Sequence, residues 1–166
     1  RVAVGHDPGV RDVAEAEVDL VVVSLPNHLH REAVLAAAAA GKAVACTKPL
    51  GRNAAEAADM LRAVGEAGVW SAYLENVVFN LDMMRMREMI EAGAIGRVTT
   101  IRAREGHSGP HAAHFWDATL AGGGALLDMA SHGTEVARFL FGKDLAATEV
   151  FAWGDTLVHG DRTTGE

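Results

Sequence analysis

The first part of the chain alternates between short β-branched runs and longer segments in which apolar residues recur at helical spacing. Residues 19–25 form a nearly continuous apolar run, typical of a parallel strand that is buried on both faces. The order of strand, helix, strand, helix and strand from residue 18 predicts a parallel sheet with right-handed crossovers, half of a doubly wound domain. The predicted strands are 2–5, 19–25, 42–46 and 69–74, and the predicted helices are 8–16, 28–40 with Asn27 as its cap, and 53 to Gly65 or Gly68.

The pattern changes after Leu74. Residues 98–104 and 149–158 alternate like half-exposed strands of a second layer, and residues 124–141 predict a helix. A loop rich in His, Gly and Pro covers 106–122. Residues 81–92 predict an amphipathic helix, whose methionines are interpreted as packing residues: Met83, Met84, Met86 and Met89. The chain therefore divides into two predicted domains, 1–80 and 81–166.

Composition excludes several classes of function. The chain has 166 residues, 49% of them hydrophobic, and a formal charge of -7 without any block of Lys and Arg, so nucleic acid is not an expected partner. The most apolar stretch, 18–26, contains Asp19 and is far shorter than the roughly 20 residues of a membrane helix. The single cysteine, Cys46, cannot form an internal disulfide, and we interpret the protein as cytoplasmic. Both ends are abrupt, which we interpret as an internal piece of a longer protein.

Three polar segments follow predicted strands. They are residues 25–28, residues 47–49 and Glu75-Asn76. In an open parallel sheet the ligand crevice lies at the carboxyl ends of the strands, so all three segments are expected there. Lys48 is the most informative residue, because at this position its ammonium can reach over the crevice. The alternative interpretation is a surface lysine at a turn.

A second group of candidate residues follows three consecutive glycines, 122–124. Glycine lets the backbone approach a ligand closely, and Asp128 and His132 lie four residues apart, on one face of the predicted helix. An imidazole oriented by a carboxylate suits proton transfer near neutral pH. The alternative is a solvated pair on a helix surface, although the apolar neighbours of the pair favour a partly buried position.

Three histidines, His107, His111 and His114, share the predicted loop. They could contact substrate hydroxyls, gather a zinc ion or remain solvated. Because no cysteine joins them and loop spacing is permissive, we predict no metal site.

Three ordered motifs carry a resemblance to a known family. They read VDLVVVSLPNHLH at 18–30, TKPL at 47–50, and GGGALLDMASH at 122–132. Together they resemble the family of glucose-fructose oxidoreductase, inositol dehydrogenase and MocA. The resemblance implies an α/β fold class: the C-terminal half of a Rossmann-type parallel sheet, followed by the start of an α/β domain with a mostly antiparallel open sheet that often mediates oligomer contacts. It also implies NAD or NADP as cofactor and hydride transfer from a hydroxyl carbon of a sugar, inositol or related polyol.

The resemblance also assigns roles to residues. Lys48 would lie between cofactor and substrate, while Asp128 and His132 would handle the substrate proton. Their position in the predicted loop, and not the resemblance, adds His107, His111 and His114 as residues that would join these three in binding the substrate. Contacts to the cofactor would come from Leu25, Pro26, Asn27, His30, Thr47, Lys48 and Asn76.

The sequence departs from the family pattern in three places. Thr47 occupies a position where the family usually has Glu, and Val77-Val78 replace an aromatic residue and an arginine. No G-x-G-x-x-G follows a strand, and 5–9 has the wrong spacing, so the fingerprint is expected before residue 1. Two other functions therefore stay open: a binding or assembly subunit with the same fold, and a metal-dependent lyase or hydrolase that uses the loop histidines.

Residues 1–166 alone are expected to bind NAD(H) weakly or not at all. The pyrophosphate of a dinucleotide normally binds at a helix N-terminus behind the glycine turn, and this sequence lacks that motif. Isothermal titration calorimetry measures the affinity directly. Micromolar binding would contradict the expectation.

Overall fold

A four-stranded parallel sheet organises the first part of the molecule. The computed structural model describes residues 2–5, 13 and 17–165. The strands lie side by side in sequence order, with each strand of the described sheet parallel to its neighbour. They are β1 Val2–Gly5, β2 Leu20–Val23, β3 Ala43–Thr47 and β4 Ser71–Leu74. The predicted order and the Rossmann-type parallel sheet are confirmed. The helix predicted for 8–16 lies outside the described residues except for Val13.

Two helices connect the strands. Helix α1 spans Asn27–Ala39 and helix α2 spans Ala54–Ala67. Helix α2 begins as its sequence predicts, because the Asn53 side chain accepts a hydrogen bond from the Glu56 amide. It ends at Gly68, whose φ of 63° favours glycine. The prediction that Asn27 caps α1 is wrong, since Pro26 holds the cap position and Asn27 is already helical.

The hydrophobic core lies between the sheet and these two helices. Small side chains on α1 let that helix approach the β-branched strands closely. The buried residues of the core are Val21, Val23, Ala33, Val34, Ala37, Ala38, Val44, Cys46, Met60 and Val64. Burial raises the pKa of the Cys46 thiol to about 12, so it is an inert core residue.

The second part of the chain is helical and irregular. Helix α3 spans Leu81–Glu91, followed by the short helices α4 Ala118–Ala121 and α5 Ala125–Asp128, and by α6 Ala130–Phe141. The predicted strands 98–104 and 149–158 are absent from the structure. A strand requires a hydrogen-bonded neighbour, and these segments have none among the described residues. Most of their apolar side chains remain in solvent, as Phe151 shows at 92% exposure.

The helix predicted over 124–141 is interrupted after Asp128. In a continuous helix the His132 amide would donate to the Asp128 carbonyl, but it donates instead to Met129. The Asp128 carbonyl accepts hydrogen bonds from Lys48 Nζ and Ser131 Oγ. The competing side-chain donors therefore account for the division into α5 and α6.

Among the described residues, no helix combines the length and the apolar character that a membrane crossing requires.

His30 connects two of the loops that follow strands. Its ring is fully buried, with Nδ1 2.8 Å from the Pro49 carbonyl oxygen and Nε2 2.7 Å from that of Leu25. Leu25 follows β2 and Pro49 follows β3, so one imidazole fixes both loops. This arrangement does not support the expected contact of His30 with a cofactor, because neither ring nitrogen is accessible.

Replacing His30 with Ala is expected to lower the free energy of unfolding by about 2–4 kcal/mol, since it leaves a cavity and removes the ring that contacts the Leu25 and Pro49 carbonyl oxygens. Urea denaturation measures the change. His111→Ala is the matched control, because His111 lies exposed in a loop. Equal stability of the two variants would contradict the role assigned to His30.

Candidate active site

The site forms where β3 and β4 end. Because the strands are parallel, the residues that follow them meet at one edge of the sheet. Lys48 comes directly after β3, and Glu75 comes directly after β4. Asp128 and His132, from the helices of the second part of the chain, contact these two residues.

Lys48 is paired with Asp128. Its Nζ lies 2.5 Å from Oδ1 and 2.8 Å from the backbone carbonyl oxygen of Asp128. Both side chains are largely shielded from solvent, so the attraction is less screened than in a surface pair. The structure thus brings together two of the three residues expected to be catalytic, and Lys48 is not a free surface lysine.

His132 is paired with Glu75, and not with Asp128. His132 Nδ1 lies 2.7 Å from Oε1 of Glu75. Glu75 is only 2% exposed. The same oxygen accepts a hydrogen bond of 2.9 Å from the Val77 amide. The expectation that Asp128 orients His132 is therefore corrected, because the Asp128 carboxylate is engaged by Lys48. The sequence places Glu75 at a strand end, but no local pattern indicates that it pairs with His132.

The triple-glycine segment packs against the protein itself. A Cβ on Gly122 would lie 2.4–2.7 Å from Arg52 atoms, including its backbone. The Arg52 guanidinium donates to the Thr119 carbonyl, and Asn27 Nδ2 donates to the Ala121 carbonyl at 2.8 Å. The sequence predicts that these glycines let the backbone approach a ligand. At Gly122 the backbone instead approaches Arg52. These bonds hold residues 119–122 against α1 and the loop after β3.

A cavity of about 180 Å³ lies beside Asp128. Its walls include Gly123, Gly124, His107, Trp116 and His159. The edge of His159 faces the Trp116 ring at 5.0 Å between centroids. Polar edges, an aromatic face and a carboxylate together suit a small hydroxylated molecule.

The three loop histidines do not converge. His107 lies on the cavity wall, with Nε2 3.9 Å from Oδ2 of Asp128. His111 is exposed, while His114 stacks on Phe115 at 4.3 Å between ring centroids. Burial, followed by the nearby His28, lowers the pKa of His114. In the part of the chain that the structure describes, no group of three His, Cys, Asp or Glu residues could hold a metal ion.

The residues expected to contact a cofactor fall into two groups. Leu25 and Pro26 are partly buried at the sheet edge, and Asn76 is exposed. In contrast, Asn27 and His30 are buried and bonded to backbone carbonyls. Thr47 Oγ1 donates to the Val23 carbonyl, which leaves its hydroxyl engaged within the sheet.

A parallel sheet with lysine, carboxylate and imidazole at its carboxyl edge is typical of open α/β proteins that bind their ligand at that edge. Residues 6–73 match the family described as an oxidoreductase family with an NAD-binding Rossmann fold. Residues 83–165 match the GFO/IDH/MocA C-terminal domain. The chain belongs to the Gfo/Idh/MocA family.

Several curated relatives are sugar or polyol dehydrogenases or reductases by name. Levoglucosan dehydrogenase of Pseudarthrobacter phenanthrenivorans is 32% identical over 84% of this chain and 37% of its own length. The 1,5-anhydro-D-fructose reductase of Ensifer adhaerens is 37% identical over 81% of this chain and 41% of its own length. Myo-inositol 2-dehydrogenase of Thermotoga maritima is 32% identical over 88% of this chain and 42% of its own length. The chain thus spans about two fifths of the length of these relatives.

Solved structures give the same likeness. Levoglucosan dehydrogenase in complex with NADH and levoglucosan superposes with a TM-score of 0.70 at 29% identity, over 86% of this chain and 45% of that one. GenD2 from gentamicin A biosynthesis, in complex with NAD, superposes with a TM-score of 0.70 at 30% identity, over 83% of this chain and 40% of that one.

Gly122→Ala is expected to destabilise the protein more than Gly142→Ala. Both glycines have positive φ, 91° and 113°, but a Cβ at position 142 meets nothing within 4 Å. Overpacking against the Arg52 backbone should therefore add about 1–3 kcal/mol to the conformational cost that both variants share. Parallel chemical denaturation of the two variants measures the difference. Equal losses would show that residue 122 is not tightly packed.

Proposed function

We propose that this chain carries the proton-transfer apparatus of an NAD(P)-dependent oxidoreductase. The reaction is hydride transfer between nicotinamide and a hydroxyl carbon of a sugar, inositol or related polyol. The observation that carries the proposal is that two pairs, Lys48 with Asp128 and Glu75 with His132, form at the ends of neighbouring parallel strands. Lys48 lies in one of the regions that match the family, and Asp128 and His132 lie in the other. The names of the relatives support the substrate class.

The residues at this edge fit the nicotinamide end of a dinucleotide. Leu25 and Pro26 would form an apolar wall, Asn76 an exposed polar contact, and Lys48 the boundary with the substrate. The NADH and NAD complexes of the similar structures favour this kind of cofactor. No G-x-G-x-x-G follows a strand in this sequence, so we assign no residue to the pyrophosphate. When bound, the nicotinamide supplies the acceptor or donor of the hydride.

His132 is proposed as the general base in alcohol oxidation. A secondary alcohol must lose the proton on oxygen as the hydride leaves carbon, and imidazole accepts protons near neutral pH. Lys48 would polarise the same oxygen through charge and hydrogen bonding. Asp128 would place the Lys48 ammonium, as its contact of 2.5 Å indicates.

The substrate is proposed to bind in the cavity beside Asp128, which is the member of the proposed catalytic group that lines its wall. His107 and Trp116 on its wall would contact hydroxyl groups and a ring face, respectively. His111 and His114 belong to the same loop and would reach a substrate only at the rim. We also propose assembly of like subunits through the second part of the chain, where Val150, Phe151 and Trp153 are exposed.

His132→Ala in the complete gene product is expected to lower kcat by roughly 100-fold or more, the scale that follows loss of a general base, with cofactor affinity nearly intact. Lys48→Ala should weaken substrate binding and turnover together, and Asp128→Asn should reduce turnover less than His132→Ala. The measurement is steady-state reduction of NAD and of NADP across a panel of polyols, with cofactor binding followed by fluorescence.

Thr134→Ala serves as the control for His132→Ala. Thr134 lies on the same helix but is exposed, and its hydroxyl donates to the Ala130 carbonyl of that helix. Near-normal turnover of His132→Ala on the best substrate would overturn the assignment of the base.

A further inference from the structure

Glu75 is a buried carboxylate, and the described residues form hydrogen bonds with only one of its two oxygens. It is 2% exposed, directly follows β4, and places one oxygen between the Val77 amide and the His132 ring. Its other oxygen, Oε2, is buried and has no hydrogen-bond partner among the described residues. Burying a carboxylate with one unpaired oxygen costs folding free energy. The hydrogen bond to His132 therefore offsets much of this cost.

We propose that Glu75 is a positioning residue that fixes the proton on Nδ1 of His132 and keeps Nε2 as the nitrogen that receives the substrate proton. This proposal rests on the proposed function, since it assigns the nitrogen through which His132 acts. It also assigns the two carboxylates to different partners: Glu75 positions His132, and Asp128 positions Lys48.

The direction of the hydrogen bond follows from chemistry. An ionised carboxylate only accepts, so the hydrogen between Oε1 and Nδ1 belongs to the imidazole. In the neutral ring the lone pair then lies on Nε2. The Val77 amide fixes the position of Oε1, and rotation of the ring would break the bond of 2.7 Å to that oxygen. Both the tautomer and the ring orientation are therefore set before a substrate binds.

The charge of Glu75 also favours the proton transfer. When the O–H bond of the substrate breaks and the Nε2–H bond forms, the ring becomes an imidazolium. The carbon that bears this oxygen would at the same time give its hydride to the oxidised nicotinamide cofactor. A buried carboxylate at 2.7 Å from the ring stabilises that positive charge, since little solvent screens the pair. Asp128 is less suited to this role because Lys48 already neutralises it.

The tautomer can be measured without turnover. Nitrogen-15 NMR of the histidine-labelled complete gene product distinguishes the protonated from the unprotonated nitrogen of a neutral ring, and the His132 signals are assigned by their loss in His132→Ala. We expect Nδ1–H in the wild-type protein and a shift toward Nε2–H in Glu75→Ala. Glu135→Gln is the matched control, because Glu135 is a buried glutamate of α6 that pairs with Arg138 and Lys143. A wild-type His132 that carries its proton on Nε2 would overturn the proposal whatever the activity.

A double-mutant cycle separates positioning from structural bracing. Glu75→Gln keeps an accepting oxygen but removes the charge, and it should lower kcat by at least about 10-fold, a part of what a general base supplies. In the His132→Ala background the same change should alter kcat by less than about 2-fold, because the residue through which Glu75 acts is gone. An equal loss in both backgrounds would show that Glu75 only braces the fold. If His132→Ala alone is fully active, the proposed function fails, and the tautomer measurement still decides the role of Glu75.

Discussion

The contact between Lys48 and Asp128 joins two residues that are 80 positions apart in the chain, and much of the site depends on it. The ammonium engages both the carboxylate and the backbone carbonyl of Asp128. Because that carbonyl is no longer available to the next helical turn, the helix is interrupted there and starts again as α6. His132 lies in the first turn of α6, where Glu75 reaches it from the end of β4. One ion pair thus connects the sheet edge to the end of α5, directly before the helix that bears the imidazole.

The parallel sheet and its two helices could be predicted because their signals are local. The β-branched run around Val21, the alanine-rich helix after Pro26 and the Asn53 cap each determine their own element. The parallel arrangement of the strands then followed from general rules of connection. Lys48 could be located for the same reason, since the carboxyl end of a strand is a position that sequence reveals.

The site partners could not be predicted in the same way. A helical spacing of four residues suggested that Asp128 faces His132, whereas the structure pairs each of them with a residue from a strand end. Helical periodicity carries no information about which distant carboxylate approaches a ring. The same limit applies to 98–104 and 149–158, where alternation indicates strand character but pairing requires a neighbouring strand. Asn27 and His30 have motif positions typical of ligand contacts, yet their polar atoms bond to protein carbonyls.

The cavity beside Asp128 has walls of a different kind from the site next to it. Lys48 and Glu75 are fixed to the ends of strands in a packed sheet, while His107 and His159 belong to segments without regular secondary structure. Substitutions in such segments cost little folding free energy. Under the proposed function, substitutions in the cavity wall would change which hydroxylated ring is accepted without altering the groups proposed to exchange the proton. A range of substrates within one chemistry would then follow from the separation of a rigid sheet edge and a variable cavity wall.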